Sequence, residues 1–263
     1  MGKIKVVVFG AAGRVGQEVV KAVAEDPGTV LVGAVDLKAN SDTLALPGGS
    51  GSVPFSADFA SIIEKCQPDI VVDFTTARAS MPALRISAPE GINTVIGATG
   101  FSQADLDEMK QLAEKHNVGI FIAPNFALGA VLMIHLARIA GKFFDHAEII
   151  ELHHDRKLDA PSGTAATTAR DMVKTRGKPF QPPAAGEYTE SRGLVIDGIN
   201  VHSVRLPGLM AHQEVLFGGA GQTLSIRHDT INRECYMPGV LLAIKEMVKR
   251  RGFIYGLDTL LGL

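Results

Sequence analysis

Residues 3–36 read "KIKVVVFGAAGRVGQEVVKAVAEDPGTVLVGAVD", and the fold turns on how this stretch is read. Its first part, "KIKVVVFG", is a continuous β-branched and apolar run ended by glycine, the pattern of a parallel strand buried on both faces. A helix follows, because Val15, Val19, Val20 and Val23 recur at helical spacing and Gly28 lies just past the end. The second apolar run, "TVLVGAVD", closes on Asp36, 20 residues after Gly16.

Between the first strand and the helix lie Gly10, Ala11, Ala12, Gly13, Arg14 and Val15. Gly10, Gly13 and Gly16 make GxxGxxG rather than the dinucleotide-binding GxGxxG, but the mechanics carry over. Small residues let backbone N–H groups approach a pyrophosphate at the positive end of a helix. Such a glycine set also occurs as a tight turn with no ligand. Asp36 strengthens the cofactor reading, since an acidic residue about 20 positions on is the one that accepts adenosine ribose hydroxyls.

The alternation continues with "PDIVVDFT" and "NTVIGATG" as strands, "SQADLDEMKQLAEKHN" as a helix and "VGIFIAPNF" as a strand. Ser102 with Asp105 predicts a capping box, and Leu106, Met109, Leu112 and Ala113 form an apolar stripe. A doubly wound parallel sheet of the Rossmann type follows, α/β in class. Ligands bind such sheets beyond the carboxyl ends of the strands. Three of those ends carry candidate cofactor residues: Thr75 in "DFT", Gly97, Ala98 and Thr99 in "GATG", and Ala123, Pro124, Asn125 and Phe126 in "APNF".

Composition bounds the rest. Apolar residues at 46% and charged residues at 21% are ordinary globular usage, which excludes disorder and fibrous repeats. Lys plus Arg (26) against Asp plus Glu (28) leaves a net charge of -2 with no long single-sign run, so neither nucleic acid nor a membrane surface is an expected partner. The N-terminal apolar run is too short to span a bilayer and its glycines break a signal-peptide reading, so a cytoplasmic location is expected. Only Cys66 and Cys235 occur, without zinc-like spacing, and no metal is expected.

After residue 127 the pattern changes. "ALGAVLMIHLARIAGKFF" reads as a helix with Val131, Ile134, His135 and Ile139 on overlapping faces, and His135 as a packed helix residue rather than a catalyst. Strand-like runs then dominate: "AEIIELHH", "GLVIDGINVHSVRL", "AHQEVLFG" and "QTLSIRHD". They predict an α+β domain with an open mixed or antiparallel sheet. "GKPFQPPAAGEYTESRG" reads as a surface loop. "MPGVLLAIKEMVKRRG" returns to helix, with Pro238 in its first turn, and is expected to pack on the first domain. The expected division is 1–127 with 237–263, and 128–236.

The segment "ELHHDRKLDAPSGTA", 151–165, carries the chemistry. A strand ends at His153 and His154, and a helix starts near Pro161 and ends at Gly177, with Asp159 or Ser162 near its cap. The N–H groups around Ser162, Gly163 and Thr164 then make an anion site. His153 and Lys157 are the groups able to donate a proton. Adjacent histidines and a lysine on an exposed loop also occur simply as solvated residues, and Asp155 and Arg156 are expected to face solvent.

"EIIELHHDRKLDAPSGTA" (Glu148 to Ala165) resembles the signature of the 4-hydroxy-tetrahydrodipicolinate reductases, also called dihydrodipicolinate reductases. "VFGAAGRVG", "DFT", "GATG", "APNF", "SVRLPGLMAHQEVLFGGAGQTLSIRHD" and "MPGVLLA" fall where that family has its blocks, so the resemblance runs the length of the chain. It implies hydride transfer from a nicotinamide to the ring of an unsaturated cyclic dicarboxylate, with loss of water to give tetrahydrodipicolinate, in the diaminopimelate route to lysine. His153 matches the family's acid–base residue and Lys157 its proton donor, with His154, Ser162, Gly163 and Thr164 as substrate contacts. Gly10 to Val15, Asp36, Gly97 to Thr99 and Ala123 to Phe126 match cofactor contacts. A homotetramer assembled through the second domain, which is also the substrate domain, is implied as well.

One departure bears on the cofactor. Some relatives carry arginine directly after the ribose-binding acid, where this chain has Leu37 and then Lys38. Asp36 repels a 2′-phosphate, while Lys38 or Arg14 could still reach it, so NADH and NADPH are both expected to serve, NADH at least as well. Two other readings compete: another two-domain amino-acid-pathway dehydrogenase, which should lack the HHxxK…PSGT unit, and a non-catalytic NAD(H)-sensing protein, which would tolerate loss of Lys157.

Overall fold

The computed structural model describes residues 2–49, 51–184 and 189–263. Residues 185–188 of the expected Pro/Gly-rich loop lie outside them. Two compact units divide the chain, Met1–Leu128 with Arg233–Leu263, and Gly129–Asn232.

The first unit is built on β1 (Ile4–Phe9), α1 (Gly16–Glu25), β2 (Thr29–Val35), β3 (Thr43–Ala45), β4 (Ser52–Ser56), α2 (Phe59–Cys66), β5 (Ile70–Asp73), α3 (Ala77–Ser87), β6 (Asn93–Ile96), α4 (Gln103–His116) and β7 (Gly119–Ile122). From the C-terminal segment it takes α7 (Met237–Met247), β13 (Gly252–Tyr255) and α8 (Leu257–Leu261). The strand order is β13-β7-β6-β5-β1-β2-β4-β3, parallel except for β3, which runs antiparallel to β4. Chain order reverses between β1 and β5, which makes their carboxyl ends the switch point where such sheets bind ligands. The cause is in the strands: Val6, Val7 and Val8 of β1 and Ile70, Val71 and Val72 of β5 are essentially without solvent contact, so both sheet faces need covering. Met109 and Ala113 of α4 pack with Ile96 and Ile120, while Phe59, Ile62 and Ile63 of α2 pack with Val7 and Val71.

The capping box at Ser102 is present, with Asp105 closing it in return, and α4 ends on Asn117 in the left-handed region. Helix α7 packs against α1 and β6, within the first unit as expected. Elements β3, β4, α2, α3, β13 and α8 were not foreseen.

The second unit holds α5 (Leu128–Ala140, Leu128 itself ending the first unit), β8 (His146–His153), α6 (Gly163–Arg176), β9 (Leu194–Ile196), β10 (Ile199–Arg205), β11 (Ala211–Gly219) and β12 (Gln222–Thr230). Its sheet has the order β12-β11-β8-β10-β9, and only β8 and β10 run parallel, so it is mixed. Ala137 of α5 and Ala165, Ala169 and Met172 of α6 form one core with Ile149, Val201, Val215 and Phe217.

Two expectations are corrected. The run 193–206, read as one strand, is a hairpin: Asp197 and Gly198 both take positive φ, 49° and 88°, and fold β9 back on β10. In α5 the buried face is Ala130, Val131, Met133 and Ala137, while Ile139 is exposed. The small alanines let the helix lie close to the sheet, which turns the larger side chains outward. His135 is half-buried in that helix. No helix among the described residues is long and apolar enough to cross a membrane.

Candidate active site

Parallel pairing gathers the first set of candidates at one edge. Phe9 lies level with Val35 and Asp73, Asp73 with Ile96, and Ile96 with Ile122, so the residues that follow each strand emerge side by side. Gly10, Asp36, Thr75, Gly97 and Ala123 are brought together in this way.

The glycine turn has a specific geometry. Gly10 takes φ of +88°, and the Gly13 N–H donates to its carbonyl at 3.0 Å. A Cβ on Gly16 would stand 1.9 Å from the Gly10 oxygen, so the helix can start this close to the turn only with glycine there. No side chain caps α1. Asp36, just past β2, accepts from the Ala12 N–H and the Lys38 N–H, both at 2.9 Å. Its carboxylate thus ties the end of β2 to the glycine turn, while Leu37 is 87% exposed.

Further along this edge, the Thr75 N–H and hydroxyl both donate to Asp73, at 2.8 and 2.6 Å. Burial raises the Asp73 carboxyl above its ordinary value, opposed by hydrogen bonds from Ser80 and Thr75. The Phe74 ring lies against Gly97, where a Cβ would come within 2.2 Å of it, and stacks at a tilt on Phe126 at 5.4 Å. Asn125 accepts from the Ala127 N–H at 2.9 Å, which fixes the turn after β7. Ala98, Thr99 and Pro124 line one cavity with Gly100, Phe101 and Tyr255.

The second set lies in the other unit. β8 delivers His153 as its last residue, and β10, parallel beside it, delivers Arg205 level with it. On the inward face two residues earlier sits Glu151, which has no solvent exposure. Arg205 grips both its oxygens, Nη1 to Oε2 at 2.9 Å and Nη2 to Oε1 at 2.7 Å. The Ser162 N–H donates to Oε1 at 3.1 Å, and His153 Nδ1 makes a short hydrogen bond to Oε2. Burial opposes the Glu151 charge, but hydrogen bonds from Arg205, Ser203 and His153 outweigh it and hold the carboxyl below the usual range. Burial pushes His153 below its ordinary value, against the pull of Glu151.

His154 follows the strand end, with Nδ1 buried and without a hydrogen-bond partner among the described residues. The chain then turns, the Lys157 N–H bonding the His154 carbonyl at 3.1 Å. The Lys157 ammonium sits 2.8 Å from each Asp159 oxygen. Asp155 and Arg156 are exposed, as the spacing suggested.

Ser162, not Asp159, caps α6, its hydroxyl accepting from the Ala165 N–H at 3.2 Å, and Gly177 ends the helix in the left-handed conformation. The expected anion site is narrower than read from sequence by one donor, because the Ser162 N–H is given to Glu151; its hydroxyl accepts from Ala165 and keeps its own O–H to donate. Gly163 and Thr164 remain at the helix start, and a Cβ on Gly163 would meet nothing within 4 Å, so the approach to them is open. Glu151 and Arg205 were missed as site residues. They lie 54 positions apart, and only the spacing of Glu151 two residues before His153, on the same strand face, hinted at the contact.

Models of known families match nearly the whole chain: dihydrodipicolinate reductase, N-terminus, over residues 4–126, and dihydrodipicolinate reductase, C-terminus, over 129–261. A 4-hydroxy-tetrahydrodipicolinate reductase of Dehalococcoides mccartyi is 58% identical over 263 residues, all of both chains. One from Moorella thermoacetica is 47% identical over 98% of each. The solved dipicolinate-bound dihydrodipicolinate reductase of Paenisporosarcina sp. TG-14 is 40% identical with a TM-score of 0.87, covering 98% of this chain and 99% of its own.

Proposed function

This chain belongs to the dihydrodipicolinate reductase family, and from that premise we propose how its residues reduce 4-hydroxy-tetrahydrodipicolinate to tetrahydrodipicolinate in lysine biosynthesis. The chain is an NAD(P)H-dependent oxidoreductase. The substrate gains a hydride and a proton and loses water. NAD(P)H, when bound, supplies the hydride.

The first unit fits the cofactor: a glycine turn too tight for any Cβ at Gly16, an uncapped helix start and an anchored Asp36 support its placement there. Gly10 to Val15 would hold the pyrophosphate and Asp36 the adenosine ribose. Thr75, Gly97 to Thr99 and Ala123 to Phe126 would hold the nicotinamide end.

In the second unit, the open start of α6 at Gly163 and Thr164 receives a substrate carboxylate. Lys157 meets the other negative charge and stands ready as a proton donor. His153 exchanges a proton through Nε2, since Nδ1 is committed to Glu151. His154, whose buried Nδ1 has no partner among the described residues, offers a further polar contact. Ser162 serves by shaping the helix start. The observation that carries this reading is the convergence of His153, Lys157 and the α6 start on one segment, 153–164. The dipicolinate bound to the Paenisporosarcina relative, a flat cyclic dicarboxylate, supports the same substrate class.

Both cofactors serve, NADH at least as well as NADPH, because a carboxylate at Asp36 repels a 2′-phosphate and Leu37 beside it carries no charge. The enzyme works in the cytoplasm. Oxidation of NADH and NADPH with freshly generated condensation product of aspartate semialdehyde and pyruvate tests all of this. Turnover with both is expected. An efficiency with NADPH more than about tenfold above NADH, roughly 1.4 kcal/mol, would reverse the assignment to Asp36 and Leu37. Tight NADH binding without turnover would leave the fold and remove the reaction.

A further inference from the structure

The geometry points to Glu151 and Arg205 as a single positioning device that fixes the proton on His153 Nδ1 and, through the same ion pair, holds the backbone of the Lys157 loop. It rests on the acid–base reading of His153 given above.

An ionised carboxylate only accepts hydrogen bonds, and Glu151 accepts two from Arg205 and one each from the Ser162 N–H, the Ser203 side chain and His153. His153 Nδ1 must therefore carry the proton, which makes Nε2 the nitrogen that exchanges one with a substrate. Arg205 is used just as completely. Beyond Glu151, its Nε donates to the Lys157 carbonyl at 3.3 Å, and its Nη2 to the Asp159 carbonyl at 2.6 Å. Nη1 also donates to the Val204 carbonyl at 2.8 Å. So one pair, Glu151 buried and Arg205 half-buried, joins the end of β8, the loop carrying Lys157 and the start of α6. With its donors so committed, Arg205 is not a substrate-binding group, although it is a cation at the site. A fully hydrogen-bonded buried pair adds little net stability over apolar residues of the same volume, so stability alone gives poor reason for it at this place. Orientation and tautomer do.

The test is ¹⁵N NMR of the His153 ring, assigned with His153→Gln, together with kcat and KM. The wild type is expected as the Nδ1–H tautomer at pH 8, and an Nε2–H tautomer there overturns the inference at once. Glu151→Gln should move the ring to Nε2–H and lower kcat by about 100-fold or more, with the KM for NADH unchanged. A double variant, Glu151→Leu with Arg205→Met, removes both charges and covers the case in which Glu151→Gln fails to fold; the same tautomer change and loss of kcat are expected. A folded variant that keeps the Nδ1–H ring, or wild-type kcat, overturns the proposal. The acid–base reading fails separately, through undiminished turnover in His153→Gln, whatever the tautomer.

Discussion

Among the described residues, Asp159 is the one charged side chain that holds Lys157, in a pair whose carboxylate is 58% exposed. An ion pair that close to solvent is worth about 0–1 kcal/mol, so little opposes the ammonium leaving it for a substrate carboxylate. Lys157→Ala is therefore expected to lower kcat by about 10²- to 10⁴-fold, the usual worth of a positioned proton donor. NADH affinity, read from nicotinamide fluorescence, should not change, because every proposed cofactor residue lies in the other unit. Wild-type turnover in this variant would return Lys157 and Asp159 to the status of a solvated surface pair. At this scale the sequence exposes only what is local. His153, Lys157 and Ser162 share one short segment and one helix start, so their grouping is legible. Arg205 reaches Glu151 only because β10 runs parallel to β8 in a register that sets Arg205 beside His153, and no spacing along the chain encodes that register.

Helix α1 shows how an element is fixed by one residue. Replacing Gly16 with alanine would normally favour a helix by about 1 kcal/mol. The added Cβ would meet the Gly10 oxygen at 1.9 Å and the Gly10 carbon at 2.7 Å, both backbone atoms of a turn whose N–H groups are bonded to Val35 and Asp36. The clash should win, with a net loss of about 1–3 kcal/mol in thermal or urea unfolding and a weaker grip on NADH. Unchanged stability and affinity would show that the turn is free to move and is no rigid cradle. The same physics explains which elements were readable. β5, β6 and β7 are buried along their whole length, and β1 and β2 over their last residues, so they appear as largely apolar runs, and α4 carries its own capping box. β3 and β13 have no fully buried residue, β4 carries Pro54, and α3 carries Pro82 within it, so each lacks the pattern that marks its class. The β9–β10 hairpin was concealed because Asp197-Gly198 sits inside a run that alternates on both sides of it.

Among the described residues, the helices of the second unit cover one face of its sheet. Helices α5 and α6 pack on the side of Ile149, Val215 and Phe217. Strand alternation turns Ile150, Leu152 and Leu216 to the other side, with Val204 level with Leu152 and His202 level with Ile150. No helix among those described packs there in the second unit, and the apolar side chains are interspersed with Glu148, Glu214 and Arg227, the mixture of an interface that must be both apolar and specific. A homotetramer joined through the second unit is the assembly we propose, on the strength of the family resemblance and of this face. Light scattering on the eluting protein should give four times the 27.9 kDa of one chain. Ile150→Asp places a charge on the uncovered face and leaves the core face untouched, so it should yield smaller assemblies with an unaltered far-ultraviolet circular dichroism spectrum. A wild-type monomer would show that the open face meets water alone; a variant that stays tetrameric would move the contact to another surface. The two results separate the subunit count from the place where subunits meet, and neither depends on turnover, so assembly is tested apart from the chemistry of His153 and Lys157.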